Sequence, residues 1–310
     1  MLTSTARTWR QNRPSIFAIV AGLASVALLS GCAAAAEPAA DSAPDTAVSA
    51  DAALFDMLPD DIQASKVIKI GTEAMYAPYE YLDADGTTIV GFDPDLVTAL
   101  TQRLGVTFEL TNAAFDGLLP ALDANRFDML AAGYTNTAER RAQYDFVNYY
   151  KSSQGIVVLA GNPEDIFTMA DLCGQPVSVL KASAQESMLV ALNDGECATN
   201  NVGIVALPDN QTAFLQVQSG RVNALLVQDA VARYNISQQG DGSTFEVSNT
   251  ELITPTLVGM MFRQDSTKLS GAMQAALQSL IDDGTYAEIL DAHTLGSGAV
   301  DSATINDGIE

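Results

Sequence analysis

Basic residues and histidine are scarce in this chain. Its 310 residues include 15 lysines and arginines and one histidine against 38 acids, which gives a formal net charge of −23. A nucleic-acid partner needs a basic surface, so this charge balance excludes one. The single histidine, His293, also leaves no Ser–His or Cys–His pair that would activate a nucleophile.

The apolar run near the N-terminus is short for a permanent transmembrane helix. It extends from Ile16 to Leu29, whereas a spanning helix needs roughly 20 apolar residues. Arg7, Arg10 and Arg13 precede the run, and the first acid is Glu37. A positively charged start followed by a short apolar stretch is typical of a signal peptide, which marks the protein for export.

The apolar run ends in Leu29-Ser30-Gly31-Cys32, which resembles the lipobox of bacterial lipoproteins. That resemblance implies a signal peptide over residues 1–31 and a diacylglyceryl group, carrying acyl chains such as palmitate, on the Cys32 thiol. The alternative is an ordinary secretory signal with an incidental cysteine. We predict a lipid anchor on the extracytoplasmic face of a bacterial membrane.

Removal of the signal peptide takes away three arginines and no acid. It leaves 12 basic residues against the same 38 acids, a net charge near −26. Such an excess favours solubility. Residues 32–62 are rich in alanine, aspartate, proline and serine, so we expect a flexible linker behind the lipid.

The two remaining cysteines are Cys173 and Cys197. In an exported protein an isolated pair most often forms a disulfide, which we predict here. A metal site is the alternative, but His293 is distant in sequence from both cysteines. No metal and no cofactor are therefore predicted.

Strand patterns alternate with helix patterns along the rest of the chain. Val67 to Gly71 is typical of a short buried strand, and Asp93 is placed to cap a helix that stops at Gly105. A second series of strands begins after Gln154. This alternation predicts a layered α/β fold. The small, polar residues 296–310 are expected to form a disordered tail.

Several segments, in their order and spacing, resemble family 3 of the bacterial extracellular solute-binding proteins, the polar amino-acid receptors of ABC importers. One departure is Pro94, where the family usually has an aliphatic residue. The segments are Tyr76–Glu80, Gly91–Leu96, Phe115–Leu122, Ala132–Arg140, Asp171–Gly174, Ala224–Asp229 and Asp283–Tyr286.

The resemblance implies a two-lobed type II periplasmic-binding-protein-like fold with two hinge strands. Lobe 1 would comprise residues 63–150 and 259–295, and lobe 2 residues 155–253, with hinges near 150–154 and 254–258. A polar L-amino acid, with cationic ones included in the class, would bind between the lobes of a monomer. The closed lobes would then dock on a membrane permease.

The resemblance also implies the residues that hold the two charges of the ligand. Arg140 would clamp the α-carboxylate, because its planar guanidinium pairs with both carboxylate oxygens. The backbone around Gly133 and Thr135 would add polar contacts. Asp229 would accept the α-ammonium from lobe 2.

The remaining site residues would surround the side chain of the ligand. Tyr76 and Phe115 would enclose it between two rings, and Glu73 would meet a cationic or amide group. In lobe 2 the family often has Gln-x-Gly-Thr-Thr where this chain has the segment Leu180–Gln185. Ser183 and Ala184 are expected to contact the ligand there, although the missing glycine removes freedom to adopt a positive φ.

Two other functions use similar scaffolds. One is an enzyme, because some dehydratases and cell-wall lyases resemble this fold, and it would need a poised acid or base in the cleft. The other is a sensor receptor that signals to a membrane kinase. We predict a binding protein and not an enzyme.

Overall fold

The computed structural model describes residues 48–238 and 243–309. The predicted signal peptide and the lipidation site Cys32 lie outside the described residues. The strands are β1 (Val67–Thr72), β2 (Met75–Tyr76), β3 (Glu80–Leu82), β4 (Ile89–Val90), β5 (Thr107–Asn112), β6 (Met129–Leu130), β7 (Tyr144–Leu159), β8 (Pro176–Leu180), β9 (Gly203–Leu207), β10 (Ala224–Gln228), β11 (Phe245–Val247), β12 (Ile253–Arg263) and β13 (Thr304–Ile305). The α-helices are α1 (Ala52–Phe55), α2 (Asp60–Ser65), α3 (Phe92–Arg103), α4 (Phe115–Asp123), α5 (Ala138–Arg141), α6 (Ala184–Asp194), α7 (Asn210–Gln218), α8 (Asp229–Gln238), α9 (Thr267–Asp282) and α10 (Thr285–Ala292).

Most strands form one mixed sheet with the order β5-β1-β6-β12-β7-β10-β8-β9, and β11 and β13 also pair with β7. On one side β1 pairs in parallel with β5 and β6, and on the other β8 pairs in parallel with β9 and β10. A separate three-stranded sheet contains β2, β3 and β4. The alternation of strands and helices that predicted an α/β fold is therefore present.

Two long antiparallel strands join the halves of the sheet. The pairing of β7 with β12 runs from Tyr144 opposite Arg263 to Gln154 opposite Ile253. On β12 the register shifts between Ile253 and Thr256 and between Val258 and Gly259. These strands cover both stretches predicted as hinges. The lobe boundaries at those stretches stay a prediction.

Each half of the sheet has its own apolar packing. Beside β1, the helix α3 buries Leu96 and Leu100, which are at most 1% exposed. Beside β8, the helix α6 buries Leu189, which is fully shielded from solvent. Apolar residues three to four positions apart place one face of a helix on the sheet, so each half has its own apolar packing between helix and sheet.

The predicted disulfide is confirmed. Cys173 and Cys197 are bonded, with their Cα atoms 5.1 Å apart. The bond ties the segment before β8 to the end of α6. Among residues 48–238 and 243–309, no group of three or more histidines, cysteines or acids is arranged to hold a metal ion. Within the same ranges, no helix is both long and apolar enough to cross a membrane.

The end of the predicted linker differs from the expectation of flexibility. Residues 48–62 carry α1 and the start of α2. Leu58 is fully buried and Ile62 is 5% exposed, both within the main core. These two apolar residues lie four positions apart and together remove enough surface from water to order a short segment.

The C-terminal segment is ordered as well, and the prediction of a disordered tail from residue 296 is wrong for residues 296–309. β13 pairs with β7, and Val300 and Ala303 are buried. The amide of Phe146 donates to Asn306 Oδ1 at 2.8 Å. Small polar residues suggested disorder, but hydrogen bonds to the neighbouring strand satisfy this backbone.

We predict that Leu58→Ala lowers the free energy of unfolding by about 2–5 kcal/mol, because it removes a buried side chain from the core. Urea denaturation followed by circular dichroism measures this. The matched control is Met57→Ala at a residue that is 41% exposed, with an expected change under about 0.5 kcal/mol. Equal effects of the two substitutions would contradict the packing of this segment.

Candidate functional site

A small cavity lies between the two halves of the sheet. It holds about 10 Å³, since side chains from both halves touch across it. Seven of the nine residues predicted to bind ligand line this cavity, and Glu73 and Asp229 do not. The lining residues are Tyr76, Phe115, Gly133, Thr135, Arg140, Leu180, Ser183, Ala184, Gln185 and Gln228.

Arg140 is positioned by the start of α5. The hydroxyl of Thr137 caps this helix by accepting the Arg140 amide at 3.2 Å. Arg140 Nη1 donates to Thr135 O, and Nη2 donates across the cavity to Ala182 O, both at 3.1 Å. The guanidinium also lies 5.1 Å from the centre of the Tyr134 ring. These contacts fix the cation between the two halves.

The charge of Arg140 has no acidic partner in the described part of the chain, where no carboxylate oxygen lies within 4.0 Å of its guanidinium. Burial lowers the pKa of Arg140 from its usual value. A half-buried cation that meets only carbonyl oxygens and an aromatic ring is incompletely compensated. The arrangement therefore suits an anionic ligand group, with charge-assisted hydrogen bonds of about 1.5–3 kcal/mol each.

Gly133 brings the backbone close to an aromatic ring. Its φ is +55°, and a Cβ added there would lie 2.7 Å from Tyr76 Cε1. A side chain at this position would displace the ring, so glycine is required both for the turn and for the close approach. The result is that Gly133 O and the Tyr76 ring share one wall of the cavity.

Asp93 supports the turn at Gly133 by a hydrogen bond. The sequence predicted that Asp93 caps α3, and this is not the case. The N-cap residue of that helix is Gly91, and no side chain makes a capping hydrogen bond. Asp93 is 2% exposed, and its Oδ2 accepts the Gly133 amide at 3.2 Å and the Tyr149 hydroxyl at 2.8 Å. Burial raises the pKa of Asp93 to about 6, an effect that these two hydrogen bonds oppose.

The two predicted aromatic residues both reach the cavity. Phe115 stacks on Tyr134 with ring centres 4.7 Å apart, and Tyr76 stacks on Tyr79 at 5.7 Å. Phe115 is 7% exposed and Tyr76 is 5% exposed. Rings held this firmly offer a flat, rigid surface to a planar group.

The loop of the opposite half adopts a positive φ at an alanine and not at a glycine. Ala182 adopts a φ of +61°, which costs a non-glycine residue about 1–2 kcal/mol. Its amide donates to Glu186 Oε2 at 2.6 Å. Ser183 caps α6 by accepting the Glu186 amide at 3.1 Å. The cap and this hydrogen bond offset the strain, and the loop presents Ser183 and Ala184 to the cavity.

Gln228 lines this cavity and was not singled out from the sequence, and the predicted ligand role of Asp229 stays a prediction. Gln228 Nε2 donates to Gly133 O at 2.8 Å and to Thr135 Oγ1 at 3.1 Å. Asp229 is absent from the cavity lining, and its carboxylate accepts Arg233 Nε at 2.7 Å. β10 ends at Gln228, and successive side chains of a strand point to opposite faces. That alternation was the signal that could have found Gln228.

Glu73 follows β1 and is buried, although it lies outside the cavity lining. It is 4% exposed, and its Oε2 has no hydrogen-bond partner among the described residues. Burial is the larger cause and the negative charge of Asp209 the next in raising the pKa of Glu73 to about 7. Near neutral pH this carboxyl is therefore partly protonated and partly ionised.

A pair of glutamines supports the cavity and was not predicted from the sequence. Gln185 lines it, and Gln185 Nε2 donates to Gln154 Oε1 at 2.6 Å. Gln154 is fully buried on β7. The contact links α6 to the strand that joins both halves, so the amides align the two walls.

The model of the bacterial extracellular solute-binding proteins, family 3, matches residues 68–296. The arginine-binding protein ArgT of Corynebacterium glutamicum is 28% identical over 81% of this chain and 82% of its own length. The L-arginine-binding protein of Pseudomonas aeruginosa is 27% identical over 74% of this chain and 88% of its own length.

Solved structures agree with these relatives. An ancestral arginine-binding protein bound to glutamine has a TM-score of 0.67 and 31% identity, over 74% of this chain and 98% of its own. The P235GK mutant of the arginine-binding protein of T. maritima has a TM-score of 0.68 and 26% identity, over 78% and 99%. The two-lobed type II periplasmic-binding-protein fold with two hinge strands is thereby confirmed.

These relatives are named for the solutes that they bind and not for a reaction. The matched segment covers most of the described residues and both walls of the cavity. The chain belongs to family 3 of the bacterial extracellular solute-binding proteins, and it is a binding protein and not an enzyme.

Proposed function

We propose that this chain is the lipid-anchored substrate-binding protein of an ABC importer and that it captures a polar L-amino acid between its two lobes. The observation that carries the proposal is the half-buried guanidinium of Arg140, which touches both walls of the cavity and has no carboxylate partner in the described ranges. An amino acid supplies the missing carboxylate. Relatives named for binding arginine support the same ligand class.

The ligand's side chain is proposed from the surroundings of the cavity. Phe115 and Tyr76 line the cavity with rings that can stack on a planar group. Glu73 directly follows β1 and is close to Tyr76 in sequence. A guanidinium or a carboxamide fits rings and a carboxyl, whereas a second carboxylate would be repelled. L-arginine and L-glutamine are therefore the first candidates.

Binding would be coupled to closure of the lobes. Arg140 Nη2 reaches Ala182 O, and Gln228 Nε2 reaches Gly133 O, so both polar contacts cross from one wall to the other. A ligand that contacts both walls binds the closed conformation more tightly than the open one. It therefore shifts the population from open to closed. Bending near residues 150–154 and 254–258 of β7 and β12 would carry this motion.

The lipid on Cys32 would hold the receptor near its permease on the extracytoplasmic face of the membrane. The segment Leu29–Cys32 supports this anchor. Mass spectrometry of the purified native protein tests it: the expected mature chain begins at Cys32 and carries a diacylglyceryl group. A mature chain that begins elsewhere would rule out the anchor.

A thermal-shift screen tests the proposed ligand class. The protein L-amino acids, ornithine and citrulline are added singly, and a specific ligand is expected to raise the melting temperature because it binds only the folded state. Failure of every amino acid to shift the melting temperature or to give a calorimetric signal would overturn the proposal.

We predict that Arg140→Ala weakens amino-acid binding at least about a hundredfold, because it removes the charged partner of the carboxylate. Isothermal titration calorimetry with the ligand found in the screen measures the affinity, and circular dichroism checks the fold. The control Arg126→Ala removes the same charge from an exposed residue and is expected to leave affinity unchanged. Equal affinities of Arg140→Ala and the native protein would contradict the site.

We also predict that L-arginine binds more tightly as the pH rises from about 5.5 to about 8. Glu73 has a pKa of about 7 in the folded protein, and a bound guanidinium favours its ionised form, so a proton is released on binding. Calorimetry in buffers of different ionisation enthalpy measures that proton.

The raised pKa of Glu73 also determines whether the stability of the fold rises or falls with pH. The folded state binds the Glu73 proton more tightly than the unfolded state, so this contribution to stability is present at low pH and is lost as pH rises to about 7. Glu73→Gln is expected to abolish the proton release and to be relatively more stable than the native protein at pH 8. An unchanged proton release in Glu73→Gln would show that another group titrates.

A further inference from the structure

The segment that follows α10 packs on the first half of the sheet and lies outside the part of the chain that matches the family. That match ends at residue 296, whereas the structure describes the chain to residue 309. Val300 and Ala303 are buried in the main core, and β13 then pairs with β7. We call residues 304–308 the strap. Membership of the family does not explain what the strap does.

One asparagine attaches the strap to β7. Asn306 N donates to Phe146 O at 3.0 Å, and Phe146 N donates to Asn306 Oδ1 at 2.8 Å. Asn306 Nδ2 also donates to Asp145 Oδ1 at 2.8 Å. Its φ is +61°, a left-handed conformation that asparagine adopts more readily than most residues. The side chain and the backbone of Asn306 together fix the strap on the edge of the strand.

The strap also reaches the turn that precedes α5. Asn136 Nδ2 donates to Asp307 O at 2.9 Å and to Asn148 Oδ1 at 2.6 Å. Asn148 Nδ2 donates to Asp307 O and to Thr304 Oγ1, both at 3.0 Å. Asn136 is 4% exposed and Asn148 is fully buried. Three of these four hydrogen bonds end on the strap, so its removal would leave buried N–H groups without a partner.

Asn136 connects this network to the cavity. It directly follows Thr135, which lines the cavity and whose carbonyl accepts Arg140 Nη1 at 3.1 Å. It directly precedes Thr137, whose side chain caps α5. The Asn136 amide donates to Leu257 O of β12 at 2.8 Å. The strap therefore holds the stretch of backbone from which the Arg140 side chain extends.

The neighbouring arginine secures the same turn from the other side. Arg141 Nη1 donates to Asn136 O at 3.1 Å and to Asn136 Oδ1 at 2.8 Å. A Cβ added at Gly308 would lie 2.5 Å from Arg141 Nη2, so the backbone of the strap packs closely on this guanidinium. The two arginines of α5 thus have different surroundings: Arg141 packs between the strap and the turn, and Arg140 lines the cavity.

We infer that the strap is a positioning element of the carboxylate-binding site: through Asp307 O and the side chains of Asn148 and Asn136, it holds the turn that aims Arg140 at a ligand carboxylate. The inference rests on the proposed function and sharpens it. Asn136 and Asn148 act as positioning residues and need no contact with the ligand. A guanidinium held in the binding orientation loses less conformational freedom when a carboxylate arrives, so the strap increases affinity by preorganisation.

Two variants and one control test the strap. Asn306→Ala removes the side chain that attaches it to β7. A chain that stops after Ala303 removes it altogether and keeps the buried residues Val300 and Ala303. Asp301→Asn is the control, because it changes a residue just before the strap and removes an exposed ion pair with Lys151. Circular dichroism checks the fold of each.

Isothermal titration calorimetry compares L-arginine with L-argininamide, which lacks the carboxylate charge. In both strap variants the affinity for L-arginine is expected to fall about tenfold, the equivalent of about one hydrogen bond. The affinity for L-argininamide is expected to fall less than about threefold, because an uncharged amide gains less from the guanidinium. Asp301→Asn is expected to stay within about twofold of the native protein for both. If the screen identifies L-glutamine, L-glutamine and L-glutaminamide take their place.

Hydrogen–deuterium exchange of the unliganded protein tests the positioning directly. The amides of Asn136 and Arg140 donate to Leu257 O and to Thr137 Oγ1. In the shortened chain both are expected to exchange at least about tenfold faster than in the native protein, because the turn opens more often. The amides of β8 and β9, in the other half of the sheet, are expected to keep their native rates.

Three results would overturn the inference. One is native exchange at both amides in the shortened chain, the second is native affinity for L-arginine in both strap variants, and the third is an equal loss of affinity for L-arginine and L-argininamide. If the shortened chain does not fold, Asn306→Ala decides by the same three measurements. If the native protein binds no amino acid in the screen, the proposed function is wrong, and the exchange rates still decide whether the strap holds the turn.

Discussion

The site depends on one half-buried cation, Arg140, whose charge the described residues leave without an acidic partner. Arg140 lies between the two halves of the sheet and donates to Thr135 O on one side and Ala182 O on the other. Removing a guanidinium from water is costly unless a counter-charge meets it. Under the proposed function, a ligand carboxylate offsets this cost, and that would link binding energy to the approach of the two walls.

The surrounding residues hold that cation and its neighbours in place. Asp93 fixes the turn at Gly133, which in turn admits the Tyr76 ring, and Thr137 caps the short helix of Arg140. Each of these groups is set by a backbone requirement: a positive φ, a helix cap or a buried hydrogen bond. The precision of the cavity therefore comes from backbone geometry on both sides of the hinge strands, with Ala182 adopting a strained φ to complete it.

Much of the fold and part of the site followed from local patterns. The alternation of strands and helices and the disulfide of Cys173 and Cys197 depend on residue type and spacing. Arg140 was implied by the family resemblance, and it lines the cavity. The predictions that were wrong concern segments whose structure depends on contacts with distant residues. Residues 48–62 and 296–309 have a composition typical of flexible segments, yet they pack or pair with distant residues such as Phe146. The composition of a segment does not indicate which part of the fold it packs against.

The order of apolar and polar residues by itself determined the α/β class and the family resemblance, because these depend on periodicity and on short motifs. The export signal stays a prediction from the same order. The tertiary structure decided which face of β10 meets the cavity, and so placed Gln228 there and Asp229 outside. It also raised the pKa of Glu73 to about 7 through burial and the charge of Asp209. Both depend on groups far apart in the chain, whose proximity and exclusion of water exist only once the two halves have folded together.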